Sequence, residues 1–310
     1  MKKILITGGS GFLGRNLISR LIKNKNNHIF CLDNFYTSSK ANIYEFLNYK
    51  NFDFILHDVN LPIHLEVDEI YHLACPASPI HYQRDPVQTL KTCVNGTINV
   101  LGLAKKLKCK VLHASTSEVY GNPLVHPQKE DYWGNVNPIG IRACYDEGKR
   151  AAETICFDYI RRDNVDIRVP RIFNTYGPYM DENDGRVISN FIVQAINDKD
   201  ISIYGDGKQT RSFCYVDDLI DGFIKIMKSK NLKQPINLGN PKEKTISQIA
   251  DLVIKMSNSK SKKKYFKLPQ DDPTRRKPDI SLIKQKLNWS PKIELSDGLS
   301  NTIKYFQSLK

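Results

Sequence analysis

The sequence lacks several features that would assign it to whole classes of protein. No apolar run approaches the roughly 18 residues of a membrane-spanning helix, and the N-terminus enters a strand directly, without the pattern of a signal peptide. The seven cysteines are an odd number with no C-x-x-C pair, which indicates reduced thiols of a cytoplasmic protein rather than a disulfide framework. The seven histidines show no H-E-x-x-H spacing, so we predict no metal site.

Acidic residues are scarce relative to basic ones, with 33 Asp and Glu against 46 Lys and Arg, which leaves a net charge of +13. Such a charge would suit nucleic acid, but the densest basic run, KSKKKYFK at 260–267, is short, and no basic stripe alternates with aromatic residues. We therefore predict a lysine-rich solvated surface and no nucleic-acid partner. A cleft that collects cations around a small anionic substrate is a second explanation of the charge.

The chain alternates between β-branched runs and amphipathic stretches. Predicted strands lie at 2–8, 28–34, 52–58, 69–75, 110–116 and 165–173, and long predicted helices lie at 85–107 and 145–162. This alternation predicts an α/β fold, a doubly wound parallel sheet with helices on both faces. The pattern loosens after about residue 174. We therefore predict a first domain at 1–174 and a smaller, partly interleaved domain at 175–310.

A glycine-rich loop follows the first predicted strand. The stretch TGGSGFLG places Gly8, Gly11 and Gly14 three apart, between that strand and a helix. Such a loop lets the backbone approach a pyrophosphate closely, with the helix N-terminus directed at it, as in Rossmann domains. Asp33 ends the second strand, 19 residues after Gly14. A carboxylate at this position accepts hydrogen bonds from a ribose diol and repels a 2′-phosphate. We predict NAD rather than NADP, with Asp58 either near the adenine or capping its strand.

Tyr145 and Lys149 are four residues apart at the start of a predicted helix. Alone, a Y-x-x-x-K pattern is usually coincidence, because helices place many such pairs on one face. Here the helix follows the fifth strand, so both residues would lie at the carboxyl edge of the sheet, where ligands bind. A buried ammonium near a phenol is expected to lower the pKa of Tyr145, which could then exchange a proton with a substrate hydroxyl. Thr116, at the end of that strand, offers a hydroxyl to orient the same oxygen.

The glycine pattern, STSEVYG (115–121) and YDEGK (145–149) together resemble extended short-chain dehydrogenases/reductases that act on nucleotide sugars. Longer blocks narrow the resemblance to the UDP-glucuronate decarboxylase (UDP-xylose synthase) family: YHLACPASPIHY (71–82), YWGNVNPIGIRACYDEGKR (132–150), RIFNTYGPYM (171–180), YGDGKQTRSFCYVDDL (204–219) and DDPTRRKPDI (271–280). The resemblance implies a cycle in which NAD⁺ oxidises C4 of UDP-glucuronate, CO₂ leaves C5, and the same cofactor reduces C4 to give UDP-xylose. It also implies a homodimer paired through helices at about 86–107 and 145–162.

The resemblance further implies roles for individual residues. Tyr145 would be the acid/base at C4 and Lys149 its partner and a ribose contact, while Glu118 would organise a water or proton at C5 and Arg276 would hold the substrate carboxylate. The further cofactor contacts would be Phe12, Leu13, Asn34, Val59, Leu73, Ala114 and Thr175. The further substrate contacts would be Lys91, Asn99, Lys105, Asn174, Arg186, Gln209 and Arg211.

Other functions share this scaffold. Sugar-nucleotide 4,6-dehydratases typically carry an Asp-Glu pair where this chain has Ser117-Glu118, so the acid for a leaving hydroxyl is missing. A UDP-glucuronate 4-epimerase is the main alternative, and a non-catalytic dinucleotide-binding regulator is a second one that the intact Tyr145, Lys149 and Thr116 argue against. The chain departs from the family at Ser38-Ser39, where relatives have Gly-Arg, and at Cys75, where relatives often have Ser.

Overall fold

A six-stranded parallel sheet organises the first half of the molecule. The computed structural model describes residues 1–230, 232–268 and 275–310. Its strands are β1 (Lys2–Thr7), β2 (Asn27–Asp33), β3 (Phe52–Leu56), β4 (Glu69–His72), β5 (Lys110–His113), β6 (Ser115–Thr116), β7 (Ile167–Arg168), β8 (Pro170–Ile172), β9 (Thr175–Tyr176), β10 (Ile201–Tyr204), β11 (Thr210–Ser212), β12 (Cys214–Tyr215), β13 (Ile236–Leu238), β14 (Glu243–Thr245), β15 (Lys263–Phe266) and β16 (Arg275–Arg276). The main sheet has the order β3-β2-β1-β4-β5-β7, and every neighbouring pair is parallel. The order reverses between β1 and β4, which confirms the predicted doubly wound α/β fold.

Helices cover both faces of this sheet. The α-helices of the described residues, including those that pack elsewhere, are α1 (Phe12–Leu21), α2 (Pro79–Arg84), α3 (Pro86–Lys91), α4 (Thr97–Leu107), α5 (Ala143–Asp163), α6 (Val187–Ile196), α7 (Val216–Lys228), α8 (Ile246–Met256), α9 (Ser281–Leu287) and α10 (Leu295–Ser308). Ile4 and Ile6 join the apolar cluster that contains side chains of α1 and α7, whereas Leu5 joins the cluster that contains side chains of α4 and α5. Successive side chains of β1 thus enter opposite layers, as the period of a strand requires.

Two predicted elements are interrupted in the structure. The predicted helix 85–107 is divided into α3 and α4 by a wider, π-type turn at Thr92–Gly96. Gly96 lies so close to Val59 that an added Cβ would come within 2.9 Å of the valine side chain, so the chain bends where it crosses the sheet edge. The predicted strand 165–173 is divided because β7 pairs with β5 in the main sheet, while β8 pairs with β6 and β13.

The C-terminal part of the chain builds smaller sheets and also returns to the first half. Strands β14, β11 and β16 form one sheet, β10 and β15 form another, and α6, α8 and α10 pack nearby. Helix α7 packs on α1 and β5, and β13 extends the small parallel sheet of β8 and β6. The expected division into 1–174 and 175–310 stays a prediction. The start of the DDPTRRKPDI block, at 271–274, lies outside the described residues.

No helix within the described ranges is long and apolar enough to cross a membrane.

Candidate active site

A cavity of about 1330 Å³ runs along the carboxyl edge of the parallel sheet. Open α/β sheets bind ligands at this edge, next to the point where the strand order reverses. The residues predicted to contact the cofactor all line the cavity: Gly8, Gly11, Phe12, Leu13, Gly14, Asp33, Asn34, Asp58, Val59, Leu73, Ala114, Tyr145, Lys149 and Thr175. The fold therefore brings together positions that are spread over 168 residues of sequence, from Gly8 to Thr175 (both ends counted).

The glycine loop fits a diphosphate because its backbone leaves no room for side chains. Gly8 has a φ of +68°, and an added Cβ would lie 2.8 Å from the backbone of Ala74. A Cβ on Gly14 would collide with the carbonyl oxygen of Gly8. The amide of Arg15 donates to the Gly11 carbonyl at 2.9 Å, which begins α1, so the preceding first-turn amides are free of intrahelical partners and face the cavity.

The Asp33 carboxylate is held in a fixed orientation at the end of β2. The backbone amides of Ser10 and Phe35 donate to its two oxygens at 3.0 and 2.8 Å, and the Ser38 hydroxyl donates to it at 3.1 Å. Ser38 also shares a hydrogen bond of 2.6 Å with the Ser10 hydroxyl. Ser38, which replaces the usual glycine of relatives, thus helps to orient the Asp33 carboxylate that is predicted to bind the ribose.

Of the two roles that the sequence left open for Asp58, the structure shows the cap, and the adenine contact stays a prediction. The Asp58 carboxylate accepts hydrogen bonds from the Asn60 amide at 2.8 Å and from the Asn34 side chain at 3.3 Å, so it caps the turn after β3. It also lines the cavity beside Asp33. An adenine contact at Asp58 remains compatible with its capping bonds, because a carboxylate accepts more than two hydrogen bonds.

Tyr145 and Lys149 lie one turn apart on α5 and are both buried. The Lys149 ammonium donates to the Ala114 carbonyl at 2.8 Å, between β5 and β6, and lies 6.0 Å from the centre of the Tyr145 ring. Thr116 ends β6, and its hydroxyl hydrogen-bonds with the Tyr145 phenol. The structure thus brings together the three side chains that the sequence proposed for proton transfer at C4.

The expected lowering of the Tyr145 pKa does not occur in this structure. Burial raises the pKa of Tyr145 well above its ordinary value, a nearby Cys75 thiolate would add to that rise, and the hydrogen bond with Thr116 opposes it. The expectation was wrong about which effect dominates, since burial of the phenolate is the largest influence on this pKa.

Tyr82 is a site residue that no motif spacing indicated. Its ring stacks on that of Tyr145, with centroids 5.0 Å apart and planes inclined by 6°. The Tyr82 hydroxyl is buried and has no hydrogen-bond partner among the described residues. The only feature of the sequence that pointed to Tyr82 was its position at the end of the YHLACPASPIHY block (71–82), which resembles the family. The stack fixes the plane in which the Tyr145 phenol points into the cavity.

Glu118 lies between two arginines. One comes from the C-terminal part of the chain, because Arg276 on β16 donates to the two carboxylate oxygens at 2.5 and 3.2 Å. The other, Arg142, immediately precedes α5 and donates at 2.6 Å. Arg276 also donates to the Ser117 hydroxyl at 2.9 Å. Burial disfavours the ionised carboxylate, but the two guanidinium groups outweigh burial and lower the pKa of Glu118 to about 2.

Arg142 and Asp146 extend this ionic cluster, and the sequence analysis did not select either. The Arg142 guanidinium and the Asp146 carboxylate approach to 3.9 Å. Burial, followed by repulsion from Glu118, raises the pKa of Asp146 to about 7 despite the nearby arginines. Near neutral pH part of the Asp146 population is therefore uncharged, which leaves the cluster with an excess of positive charge that suits an anionic group.

The predicted substrate residues divide into two groups. Those that line the cavity are Asn174, Arg186, Gln209, Arg211 and Arg276. Those that do not line it are Lys91, Asn99 and Lys105. Lys91 is exposed at the end of α3, Asn99 donates to the Val59 carbonyl at 2.9 Å, and Lys105 pairs with Asp163 at 2.8 Å at the far end of α4. Substrate contacts by these three residues stay a prediction, and the cavity lining does not include them. Asn99 instead supports the backbone of a cavity residue.

The sequence matches one enzyme family over most of its length. Residues 4–239 match the model of the NAD dependent epimerase/dehydratase family. The chain belongs to this family. UDP-glucuronic acid decarboxylase 3 of Arabidopsis thaliana is 52% identical over 297 residues, covering 96% of this chain and 86% of the relative. UDP-glucuronic acid decarboxylase 1 of Xenopus tropicalis is 52% identical over 306 residues, covering 99% of this chain and 72% of the relative.

A solved structure of the same family has the same fold. The UDP-glucuronic acid 4-epimerase of Bacillus cereus, crystallised with UDP-glucuronic acid and NAD, superposes with a TM-score of 0.90 at 29% identity, covering 99% of this chain and 100% of the epimerase. The family membership and the glycine cradle agree on NAD as the cofactor.

Removing the Asp33 carboxylate should weaken discrimination between dinucleotides. Asp33→Ala is expected to narrow the preference for NAD⁺ over NADP⁺ by at least about tenfold, or about 1.4 kcal/mol, because a 2′-phosphate no longer meets a negative charge. Calorimetric titration with each dinucleotide measures the ratio. Asp53→Ala, an exposed carboxylate on the adjacent β3, is the matched control and should keep the wild-type ratio. An unchanged ratio in Asp33→Ala would contradict the assignment of Asp33.

Removing the Tyr145 hydroxyl should stop proton transfer while leaving the ring stack in place. Tyr145→Phe is expected to lower kcat by about 10²–10⁴-fold with little change in the affinity for UDP-glucuronate. Turnover assays and substrate titrations separate the two effects. Tyr159→Phe, on the same helix but at its far end, should keep full activity. Activity within a few-fold of wild type in Tyr145→Phe would mean that Tyr145 serves packing alone.

Proposed function

We propose that this chain catalyses the NAD-dependent decarboxylation of UDP-glucuronate to UDP-xylose through a 4-keto intermediate, with the cofactor restored at the end of each cycle. Relatives 52% identical over nearly the whole chain are named UDP-glucuronic acid decarboxylases. The observation that carries the proposal is the placement of Glu118 and Arg276 in the cavity that Tyr145 also lines.

The charge of the ionic cluster suits a sugar carboxylate. Arg142 and Arg276 contribute two positive charges, Glu118 contributes one negative charge, and Asp146, with a pKa of about 7, contributes only part of a second, so positive charge is in excess. Arg211, which also lines the cavity, adds a further cation on β11 beside Arg276. A substrate carboxylate can therefore share the guanidinium groups with Glu118, and bidentate arginine contacts fix its orientation.

The chemistry at C4 belongs to Tyr145 and Thr116. The Thr116 hydroxyl orients the substrate oxygen, and the Tyr145 phenol exchanges the proton of that oxygen as a hydroxyl becomes a ketone and later a hydroxyl again. NAD, when bound along Gly8–Gly14 and Asp33, supplies the reversible oxidation of C4. A ketone at C4 places the C5 carboxylate β to a carbonyl, so the electrons left by departing CO₂ spread onto the C4 oxygen.

Glu118 organises the second proton transfer rather than donating the proton. With a pKa of about 2 it is ionised at neutral pH, so it carries no proton to give. A carboxylate fixed by two arginines is instead an acceptor that orients a water or another exchangeable donor toward C5. This role explains why the carboxylate is held by two cations in a largely buried position.

The epimerase alternative is supported by a structural neighbour and not by the residues of the site. The Bacillus cereus UDP-glucuronic acid 4-epimerase shares the fold at 29% identity, whereas the decarboxylase relatives are 52% identical. A 4-epimerase keeps the carboxylate and must turn the 4-keto sugar over. A carboxylate directed at C5 has no use in that reaction, so Glu118 favours decarboxylation.

Two further parts of the proposal concern assembly and location. We include a homodimer formed through α3, α4 and α5, because Val87, Leu90 and Ile98 expose apolar side chains on the first two of these helices. We also include a cytoplasmic location, supported by the odd number of cysteines without a C-x-x-C pair.

The decisive experiment is the reaction of the protein with UDP-glucuronate and catalytic NAD⁺ in D₂O. UDP-xylose with one deuterium at C5 and CO₂ are expected, because C5 takes a proton from a group that exchanges with solvent. The hydrogen at C4 should be retained without solvent label. Mass spectrometry and proton NMR of the nucleotide sugar measure both positions. A six-carbon product that retains its carboxylate would overturn the decarboxylase and favour the epimerase.

Glu118→Gln tests the second proton transfer separately. The amide keeps the size of the side chain but loses its charge, so kcat should fall by about 10²-fold while the affinity for UDP-glucuronate changes less. Arg276→Ala should weaken both binding and turnover, because the substrate carboxylate loses a partner. Glu147→Gln is the control, since Glu147 lies on the same helix as Tyr145, half-exposed, and pairs with Arg150 at 3.4 Å. A wild-type kcat in Glu118→Gln would exclude the role proposed for it.

A further inference from the structure

Two cysteine side chains meet in the wall of the cavity. The Cys75 and Cys93 sulfurs are 3.3 Å apart, within hydrogen-bond distance for thiols. Cys75 follows β4 and lines the cavity, whereas Cys93 lies in the π-type turn between α3 and α4 and is buried. The two residues are 18 positions apart in sequence, so the fold, not the local chain, brings them together. The mechanism at C4 and C5 uses neither of them.

The surroundings make Cys75 the more reactive member of this pair. A hydrogen bond from Cys93 lowers the pKa of Cys75 to about 7, burial opposes the change, and the Lys149 ammonium adds to it. The same hydrogen bond, together with burial, raises the pKa of Cys93 well above its ordinary value, so Cys93 remains a protonated donor. A thiolate is the nucleophilic form of cysteine, and it forms here at a position that lines the cavity.

The remaining cysteines have the opposite character. Burial raises the pKa of each of them: Cys31, Cys109, Cys144, Cys156 and Cys214. Cys144 resembles Cys75 in exposure, because both side chains are half-buried. The Cys144 sulfur contacts the Tyr82 carbonyl at 3.6 Å. The five provide an internal reference, because no hydrogen bond from a second thiol among the described residues lowers the pKa of any of them, including Cys144, which lies near enough to Cys75 for the charge of Cys75 to raise its pKa.

We propose that Cys75 and Cys93 are a peroxide-sensitive thiol pair whose oxidation to a disulfide slows the reaction at the adjacent Tyr145 and Lys149. The pair is at contact distance before oxidation, one sulfur is reached from the cavity, and the other is buried behind it, which is the arrangement of an attacking and a resolving cysteine.

The oxidation takes place in two steps. The Cys75 thiolate attacks one oxygen of a hydroperoxide, an S–O bond forms as the O–O bond breaks, and hydroxide or an alkoxide leaves. The Cys93 sulfur then attacks the Cys75 sulfenic acid, an S–S bond forms, the S–O bond breaks, and the Cys93 proton leaves with the hydroxide as water. The two thiols lose two electrons together, and the peroxide gains them.

The disulfide would act on the site through α5. An added Cβ on Gly148 would lie 3.1 Å from the Cys93 sulfur, so Cys93 packs directly against the helix at the residue before Lys149. Drawing the two sulfurs from 3.3 Å into a covalent bond would tighten the contact between the segment after β4 and the π-type turn, and both border the cavity. The effect on turnover rests on the proposed function, but formation of the disulfide does not.

The experiment treats the full-length protein with hydrogen peroxide under native conditions and then measures three quantities. Intact mass should fall by two hydrogens, peptide mapping should find one disulfide between Cys75 and Cys93, and kcat with UDP-glucuronate should fall at least about tenfold and recover with dithiothreitol. Cys75→Ser and Cys93→Ser should each prevent the mass change. Cys75→Ser should also keep its activity in peroxide, since serine nearly keeps the size of the side chain and cannot form a disulfide. Cys144→Ser is the matched control and should oxidise like wild type.

The outcomes separate this proposal from the proposed function. Retention of both free thiols, a disulfide to Cys144, or a sulfinic acid on Cys75 alone would overturn the pair. A Cys75–Cys93 disulfide that leaves kcat unchanged would overturn the regulatory effect. If the reduced protein does not convert UDP-glucuronate, the proposed function fails, and the mass and the peptide map still decide whether the disulfide forms.

Discussion

The contact between Glu118 and Arg276 is the interaction on which the arrangement of the site depends. Arg276 belongs to β16, in a sheet built entirely from the C-terminal part of the chain. Glu118 belongs to the turn at Ser117–Tyr120 that follows β6. Removing Glu118 would leave the buried Arg276 guanidinium without its carboxylate, which typically costs about 3–5 kcal/mol, whereas removing Arg276 would leave Glu118 paired with Arg142 alone. The ion pair therefore fixes the smaller part of the chain against the Rossmann sheet and also completes the cavity.

This coupling gives the ionic cluster its chemical character. A buried carboxylate ordinarily has a raised pKa, and Asp146, one residue after Tyr145, behaves in this way. Glu118 has a low pKa because two arginines converge on it from separate parts of the chain. Two acidic groups of similar chemistry thus have opposite charge preferences in one cluster. The fixed anion orients a proton donor, and the carboxyl with the higher pKa limits the negative charge near the substrate carboxylate.

The sequence predicted the parts of the fold and site that depend on local pattern. The parallel sheet followed from β-branched runs, and the phosphate loop from three glycines after a strand, where Gly8 and Gly14 admit no side chain. The sequence could not predict the bend at Thr92–Gly96, because Gly96 is required by Val59, which is distant in the chain. It also did not show that Lys91 and Lys105 lie outside the cavity lining, since a helical pattern does not fix where a helix stands relative to the ligand-binding edge.

Long-range side-chain contacts were the other limit of the sequence analysis. The stacking of Tyr82 on Tyr145 and the approach of Arg142 to Glu118 join segments whose spacing carries no periodic signal. The prediction of a lowered pKa for Tyr145 was wrong for a related reason. Spacing placed Lys149 one turn away, but the ammonium turns to the Ala114 carbonyl and leaves burial as the larger influence on the phenol.

The Lys149 ammonium influences the Cys75 thiol, and the charge of that thiol in turn influences Tyr145. Lys149 stabilises the Cys75 thiolate, and that thiolate raises the pKa of Tyr145. A negative charge on Cys75 thus makes the phenolate of Tyr145 harder to form, whereas a neutral thiol, a serine or a disulfide at the same position carries no such charge. The electrostatic part of oxidation would therefore favour Tyr145, so any loss of activity must come from displacement of the cavity wall. The proposed loss of activity on oxidation thus depends on the close packing of Cys93 against Gly148 of α5, the residue before Lys149.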